Sequence, residues 1–236
     1  MRRLFRSFDR FGVDVLLISG QATILYGAAT FSEDVDVWIR PTRRNALRFL
    51  RALAACRARV HRLTPPLEER FLERGHGFHF LVPETSGPVY LDVMGRPPRV
   101  ASFDACLKRS RRFETPWGPI QVVGIEDLVR LKKTRRLMDY DVISNLVDLR
   151  VAQEERPSNR LLRWAAENSF RAEARAVYLR RLGRPAGEAR CRRAISRDLA
   201  TLQARDTAYW RRIVRELRRL RRLGKLLPDG RPVASL

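Results

Sequence analysis

The chain has 236 residues, of which 44% are hydrophobic, and carries 48 Lys and Arg against 26 Asp and Glu, a formal net charge of +22. That apolar content supports a normal core and excludes wholesale disorder, and no stretch approaches the ~20 apolar residues of a membrane span. The charge excess is almost all arginine, since Lys108, Lys132, Lys133 and Lys225 are the only lysines; such a surface draws polyanions, although a GC-rich genome would also write arginine wherever a cation is tolerated.

The N-terminal "MRRLFRSFDRFG" is amphipathic and basic, and reads as a first helix rather than a leader. Residues 13–18, "VDVLLI", are a short apolar run that suits a buried strand. "GQATILYGA" follows as a short helix, and "DVDVWI" alternates with period two as the next strand. A helix, "TRRNALRFLRALAACRA", is expected to bury Ala46, Leu47, Leu50, Leu53 and Ala54. Residues 59–75 give no clear pattern. "GFHFLV" (77–82) and "VYLDVMG" (89–95) read as strands. "SFDACLKRS" is a short helix with a Ser cap, and "RRFETPWGPIQVVG" is a hairpin turning at 116–119. "IEDLVRLKKTRRL" and "DYDVISNLVDLRVAQ" read as two helices. Beyond residue 150 the pattern is helical throughout, with breaks at Pro157, at 183–187 and at Gly224. The expected architecture is α/β (α+β), a small mixed sheet flanked by helices over 1–150, followed by a basic all-helical region over 151–236.

Cys56, Cys106 and Cys191 lie far apart and form no CxxC pair, which disfavours a disulfide framework or a zinc site and makes a reducing cytoplasm the default compartment. His76 and His79 lack a third ligand at suitable spacing; His79 reads as a strand residue near a cleft. The tryptophans, Trp38, Trp117, Trp164 and Trp210, read as core.

The chemistry concentrates in acids. Asp34 and Asp36 stand two residues apart on a strand, so both side chains share one face. Two carboxylates so close repel, and one tends to hold a proton. A divalent cation between them removes that penalty, and Mg²⁺ commonly takes one or two carboxylates together with water and phosphate oxygens. Asp-x-Asp also occurs at turns and in surface ion pairs. Ser19–Gly20 falls between a strand and a helix, where backbone N–H groups can face a phosphate and glycine permits close approach; a plain turn with a capping Ser has the same sequence. Asp92 lies in a later strand that, if adjacent, brings a third acid to the pair. Three acids around Mg²⁺ form a phosphoryl-transfer arrangement, in which one acid can accept the proton of an attacking hydroxyl.

Ser19–Gly20, then 13 residues to Asp34, the Asp-x-Asp strand and the later Asp92 resemble the polymerase-beta-like nucleotidyltransferase superfamily. The likeness is closest to its minimal bacterial members, including those of toxin–antitoxin and defence operons, and covers residues of about 12–150. The segment "VVGIEDLVRLKKTRRLMDYDVISNL" resembles the helical part that follows the core there. The resemblance implies Asp34, Asp36 and Asp92 as metal ligands and catalytic acids, Ser19, Gly20 and Lys132 or Lys133 as triphosphate contacts, and a structural pair between Arg136 and Asp139. The implied cofactor is Mg²⁺ and the implied donor a nucleoside triphosphate. The acceptor would be RNA (tRNA included), a protein or a small molecule. Two departures stand out: Ser-Gly where Gly-Gly or Gly-Ser is usual, and Thr30 where relatives often carry Arg. They leave open a second reading, a noncatalytic binding or regulatory protein that keeps the fold.

Overall fold

The computed structural model describes residues 1–85 and 87–236. Strands β1 (Val15–Ile18), β2 (Val35–Ile39), β3 (Arg59–Val60), β4 (Gly77–Val82), β5 (Val89–Met94), β6 (Arg111–Thr115) and β7 (Gly118–Val122) form one mixed sheet in the order β3-β4-β5-β2-β1-β7-β6. β2 sits at the centre, antiparallel to β1 and parallel to β5. The alternation read in the sequence appears directly: Phe78, Phe80 and Val82 of β4, and Leu91 and Val93 of β5, are completely buried, while the residues between them turn to the opposite face.

The early helices are α1 (Arg2–Arg10), α2 (Ser19–Leu25), α3 (Arg43–Ala55), α4 (Glu69–Glu73), α5 (Phe103–Leu107) and α6 (Ile125–Leu131). The α3 N-terminus is fixed by Thr42, whose side chain accepts from the Asn45 N–H. Its buried face differs from the expected one. Ala46, Phe49, Ala52 and Leu53 face the core, and Leu47 is exposed, because the bulky Phe49 packs against Phe8 and Phe80 and sets the rotation of the helix. The unread stretch 59–75 contains β3 and α4. The hairpin at 116–119 forms as expected between β6 and β7.

Helix α6 ends at Leu131, six residues before the expected limit. The reason is Asp139: its carboxylate gathers the Lys132 ammonium, the Thr134 hydroxyl and the Arg136 guanidinium, which pulls 132–137 into a compact loop. Lys132 and Arg136 therefore do not share a helix.

The C-terminal part is helical, with α7 (Met138–Ala152), α8 (Asn159–Asn168), α9 (Ala172–Arg181) and α10 (Glu188–Arg222). The breaks at Pro157, at 183–187 and at Gly224 are present. An unforeseen one separates α8 from α9, where Phe170 N–H donates to the Ser144 hydroxyl of α7. After Gly224 the long helix has ended: Leu227 and Pro232 form isolated bridges to Thr64 and Arg59 beside the sheet edge, and a single 3-10 turn covers Val233–Ser235. A continuous apolar core runs from Leu4 to Val233 and draws on residues either side of 150, while α9 and α10 enclose a small cluster of Ala172, Ala176, Cys191 and Ile195. Of the tryptophans, Trp38 is fully buried; Trp117, Trp164 and Trp210 are half-buried. Among the described residues no helix is long and apolar enough to cross a membrane.

Candidate active site

One row of register partners crosses the middle of the sheet: Ile18 of β1 opposite Asp36 of β2, Asp36 opposite Asp92 of β5, and Asp92 opposite His79 of β4. Adjacent strands lie about 4.8 Å apart, so register partners share a face. The sheet therefore sets two aspartates and a histidine side by side, and β1 delivers Ser19 to the same end, immediately after Ile18. Asp34 stands at the bend just before β2. The acids that the sequence singled out are gathered at one end of the central strands.

Their electrostatics follow from this crowding. Burial, and then the Asp92 charge, push the Asp36 carboxyl up to about 6; Asp34 adds to the rise, while a hydrogen bond with Ser19 and the Lys132 charge oppose it. Asp34 is also held above the usual carboxylate range, by burial first and Asp92 next, with Arg62 and His79 pulling the other way. Asp92 is tied down: His79 Nδ1 lies 2.7 Å from its Oδ1. His79 is itself buttressed, since its N–H donates to the Thr64 hydroxyl at 3.0 Å and the Thr64 carbonyl accepts from Leu227 N–H at 2.8 Å.

Ser19 opens α2 with φ of 56°, a left-handed conformation that is uncommon outside glycine and costs on the order of 1 kcal/mol or more. The sharp turn follows from β1 running straight into α2 at the sheet's end. Gly20 has a local explanation. A Cβ there would lie 2.1 Å from the Ser32 hydroxyl oxygen, so glycine is what allows the 26–34 segment to fold back over α2. Gln21 donates to the Ser32 carbonyl, and the Ser32 hydroxyl donates to the Asp34 carbonyl. Gly20 thus helps to position Asp34.

The two lysines part company. Lys132 is buried, donates to Asp139 at 3.0 Å, and is near enough for its charge to be felt at Asp36. Burial pushes the Asp139 carboxyl up, yet Lys132, Thr134 and Arg136 together hold it below its ordinary value. The Arg136–Asp139 pair is formed. Lys133 faces a different cavity, lined by α8, α9 and α10. His79 and Arg62 are the neighbours that sequence reasoning did not assign to the cluster. Alternation in "GFHFLV" puts His79 on the face away from the core, but its pairing with Asp92 depends on strand order; Arg62 lies in the unread stretch.

An all-oxygen donor set suits a hard cation such as Mg²⁺. Among the described residues no three His, Cys, Asp or Glu side chains are grouped closely enough to hold a metal ion. Asp36 and Asp92, as register partners, stand side by side, and Mg²⁺ commonly takes one or two carboxylates when water and phosphate complete its shell. The carboxylate repulsion that raises Asp36 is the penalty such a cation would remove.

No family model matches the chain, and no curated protein does. Among solved structures, it is similar to a candidate nucleotidyltransferase from H. pylori at 11% identity, over 88% of this chain and 93% of that one, with a TM-score of 0.45. It is also similar to JHP933 from Helicobacter pylori at 11% identity, over 95% of this chain and 94% of that one, with a TM-score of 0.44. Both likenesses are of the chain's overall course and say nothing of its chemistry.

Proposed function

We propose that this chain is a Mg²⁺-dependent nucleotidyltransferase, which moves a nucleoside monophosphate from a nucleoside triphosphate to an acceptor hydroxyl and releases pyrophosphate. The observation that carries the reading is the placement of Asp36 and Asp92 as register partners on adjacent central strands, with Asp34 beside them. Mg²⁺ would supply charge neutralisation on the triphosphate and its leaving group. Asp36 and Asp34 would hold it. Asp92, whose Oδ1 is engaged by His79, would use its other oxygen to ligate or to accept the proton of the attacking hydroxyl. Ser19 would hydrogen-bond a phosphate oxygen, with Gly20 setting the turn. Lys132 would contribute its field from within the ion pair with Asp139.

An RNA acceptor fits the surface best. Arg211, Arg215, Arg218 and Arg222 recur at helical spacing on α10 and are exposed. A toxin–antitoxin or defence role is compatible with that chemistry. One observation favours the noncatalytic reading instead: Asp92 already has His79 as a partner.

Nucleotide-induced thermal stabilisation tests the reading. The proposal expects a nucleoside triphosphate to raise the melting temperature with Mg²⁺ present and not with chelator, and expects Asp36→Asn to lose that response. A response indifferent to Mg²⁺ and to Asp36 contradicts it.

A further inference from the structure

A cavity of about 480 Å³ opens between α8, α9 and α10, lined by Lys133, Arg175, Arg190 and Arg205 together with Glu167 and Asp198. None of the three clustered aspartates lines it. Arg175 is only 6% exposed. Its Nε donates to the Ser169 carbonyl and its Nη1 to Asp198 at 2.8 Å, whereas Nη2 is buried without a hydrogen-bond partner among the described residues. A buried guanidinium with an idle N–H is rare, because desolvated donors are nearly always paired. Lys133 is half-buried beside it; burial first, and then the Arg130 charge, hold its ammonium below the usual range, against the pull of Glu167 and Asp198. Phe170, Leu179 and Leu202 add apolar surface to the lining, and the Phe170 ring lies 5.9 Å from the Arg175 guanidinium.

We propose that this cavity binds a small phosphate monoester of mononucleotide size, held by Arg175 and Lys133 inside and by Arg190 and Arg205 at the rim. The four cations outnumber the two carboxylates by two, the charge of a phosphate monoester dianion near neutral pH. Guanidinium groups match phosphate oxygens in pairs, and Arg175, largely desolvated already, lines the cavity. Phe170, Leu179 and Leu202 give the organic part an apolar surface, and the volume lies in the range of small-molecule sites. Glu167 and Asp198 disfavour a more heavily charged triphosphate. The site is independent of the proposed catalytic cluster: Lys132 and Lys133 are neighbours in sequence, yet one is buried on Asp139 and the other faces the cavity.

Isothermal titration of the full chain without divalent metal tests this, with adenosine 5′-monophosphate, adenosine and inorganic phosphate as probes. The monophosphate is expected to bind at least about tenfold more tightly than either of the others, since each supplies only half of the interactions. Arg175→Gln should abolish binding, but Arg175 is buried and its replacement risks the fold. The exposed pair Arg190→Gln/Arg205→Gln therefore carries the test and should weaken the monophosphate at least about tenfold, while Asp36→Asn leaves it unchanged. Failure of nucleotidyl transfer would not affect this result. Equal binding of inorganic phosphate or of adenosine, no binding of the monophosphate, or binding lost in Asp36→Asn and kept in the arginine variant, overturns the proposal.

Discussion

Asp36 and Asp92 face each other across β2 and β5 as register partners, and the Asp92 charge, after burial, is the largest cause holding the Asp36 carboxyl at about 6 against an ordinary 3.8. A folded-state value above the unfolded one means that the folded protein binds the proton more tightly. The native state is therefore penalised progressively as pH rises from about 4 to about 6, and the full penalty, up to about 3 kcal/mol, persists above that window. Asp36→Asn is expected to be more stable than the wild type near pH 7.5 and to lose that advantage near pH 4. Mg²⁺ should stabilise the wild type above about pH 6 and progressively less below it, because the proton then competes for the same oxygens. Melting curves at the two pH values, with and without MgCl₂, check both outcomes.

His79 holds Asp92 at 2.7 Å while standing in the neighbouring strand. On the proposed function it is a positioning residue. His79→Ala should lower turnover about 10- to 100-fold with little change in the Michaelis constant for the triphosphate, the usual cost of removing a partner that orients a ligand. His79→Gln, which can still donate to Asp92, should recover part of the loss. Steady-state kinetics on the three proteins separate this from general destabilisation.

The loop that carries Lys132 is tied to α10. Asp206 of α10, 1% exposed, accepts from Arg99 at 2.7 Å and from the Arg135 N–H at 3.1 Å. Arg99 in turn donates to the Arg130 and Leu131 carbonyls at the end of α6. Asp206→Ala leaves a partly buried guanidinium uncompensated and should cost about 3 kcal/mol in chemical denaturation.

The exposed arginines of α10 lead to a salt prediction. Replacing Arg211, Arg215, Arg218 and Arg222 with Gln should weaken binding of single-stranded RNA and reduce the slope of log K against log salt by about 2–3, at up to ~0.7 for each phosphate that an arginine no longer neutralises. An unchanged slope in filter binding removes this face from the RNA-acceptor account.

Period-two alternation made β2, β4 and β5 legible, because a sheet buried on one face leaves that imprint. Asp36 and Asp92 stood out as acids in apolar strands for the same reason, whereas Asp34, expected on the strand with Asp36, lies at the bend just before it. The lateral order of strands left no such mark, so the pairing of Asp92 with His79 could not be read. Gly20 was legible as a tight spot, but the group pressing on it, Ser32, was set by a loop path that carries no periodicity. The 125–137 helix was overextended because propensity favours helix through "KKTRRL", whereas the Asp139 carboxylate recruits Lys132, Thr134 and Arg136 and ends it early. The parting of the two lysines follows from that early end.

The most direct test of the central claim is transfer of an α-phosphate label from a nucleoside triphosphate to cellular RNA or protein, in Mg²⁺ and in chelator, for the wild type, Asp36→Asn and Asp92→Asn. The wild type is expected to transfer label in Mg²⁺ alone, and each folded variant to lose at least about 10³-fold, the scale of removing a charge partner at the reacting phosphate. Transfer that survives in either variant, or a wild type that transfers nothing to any acceptor, contradicts it.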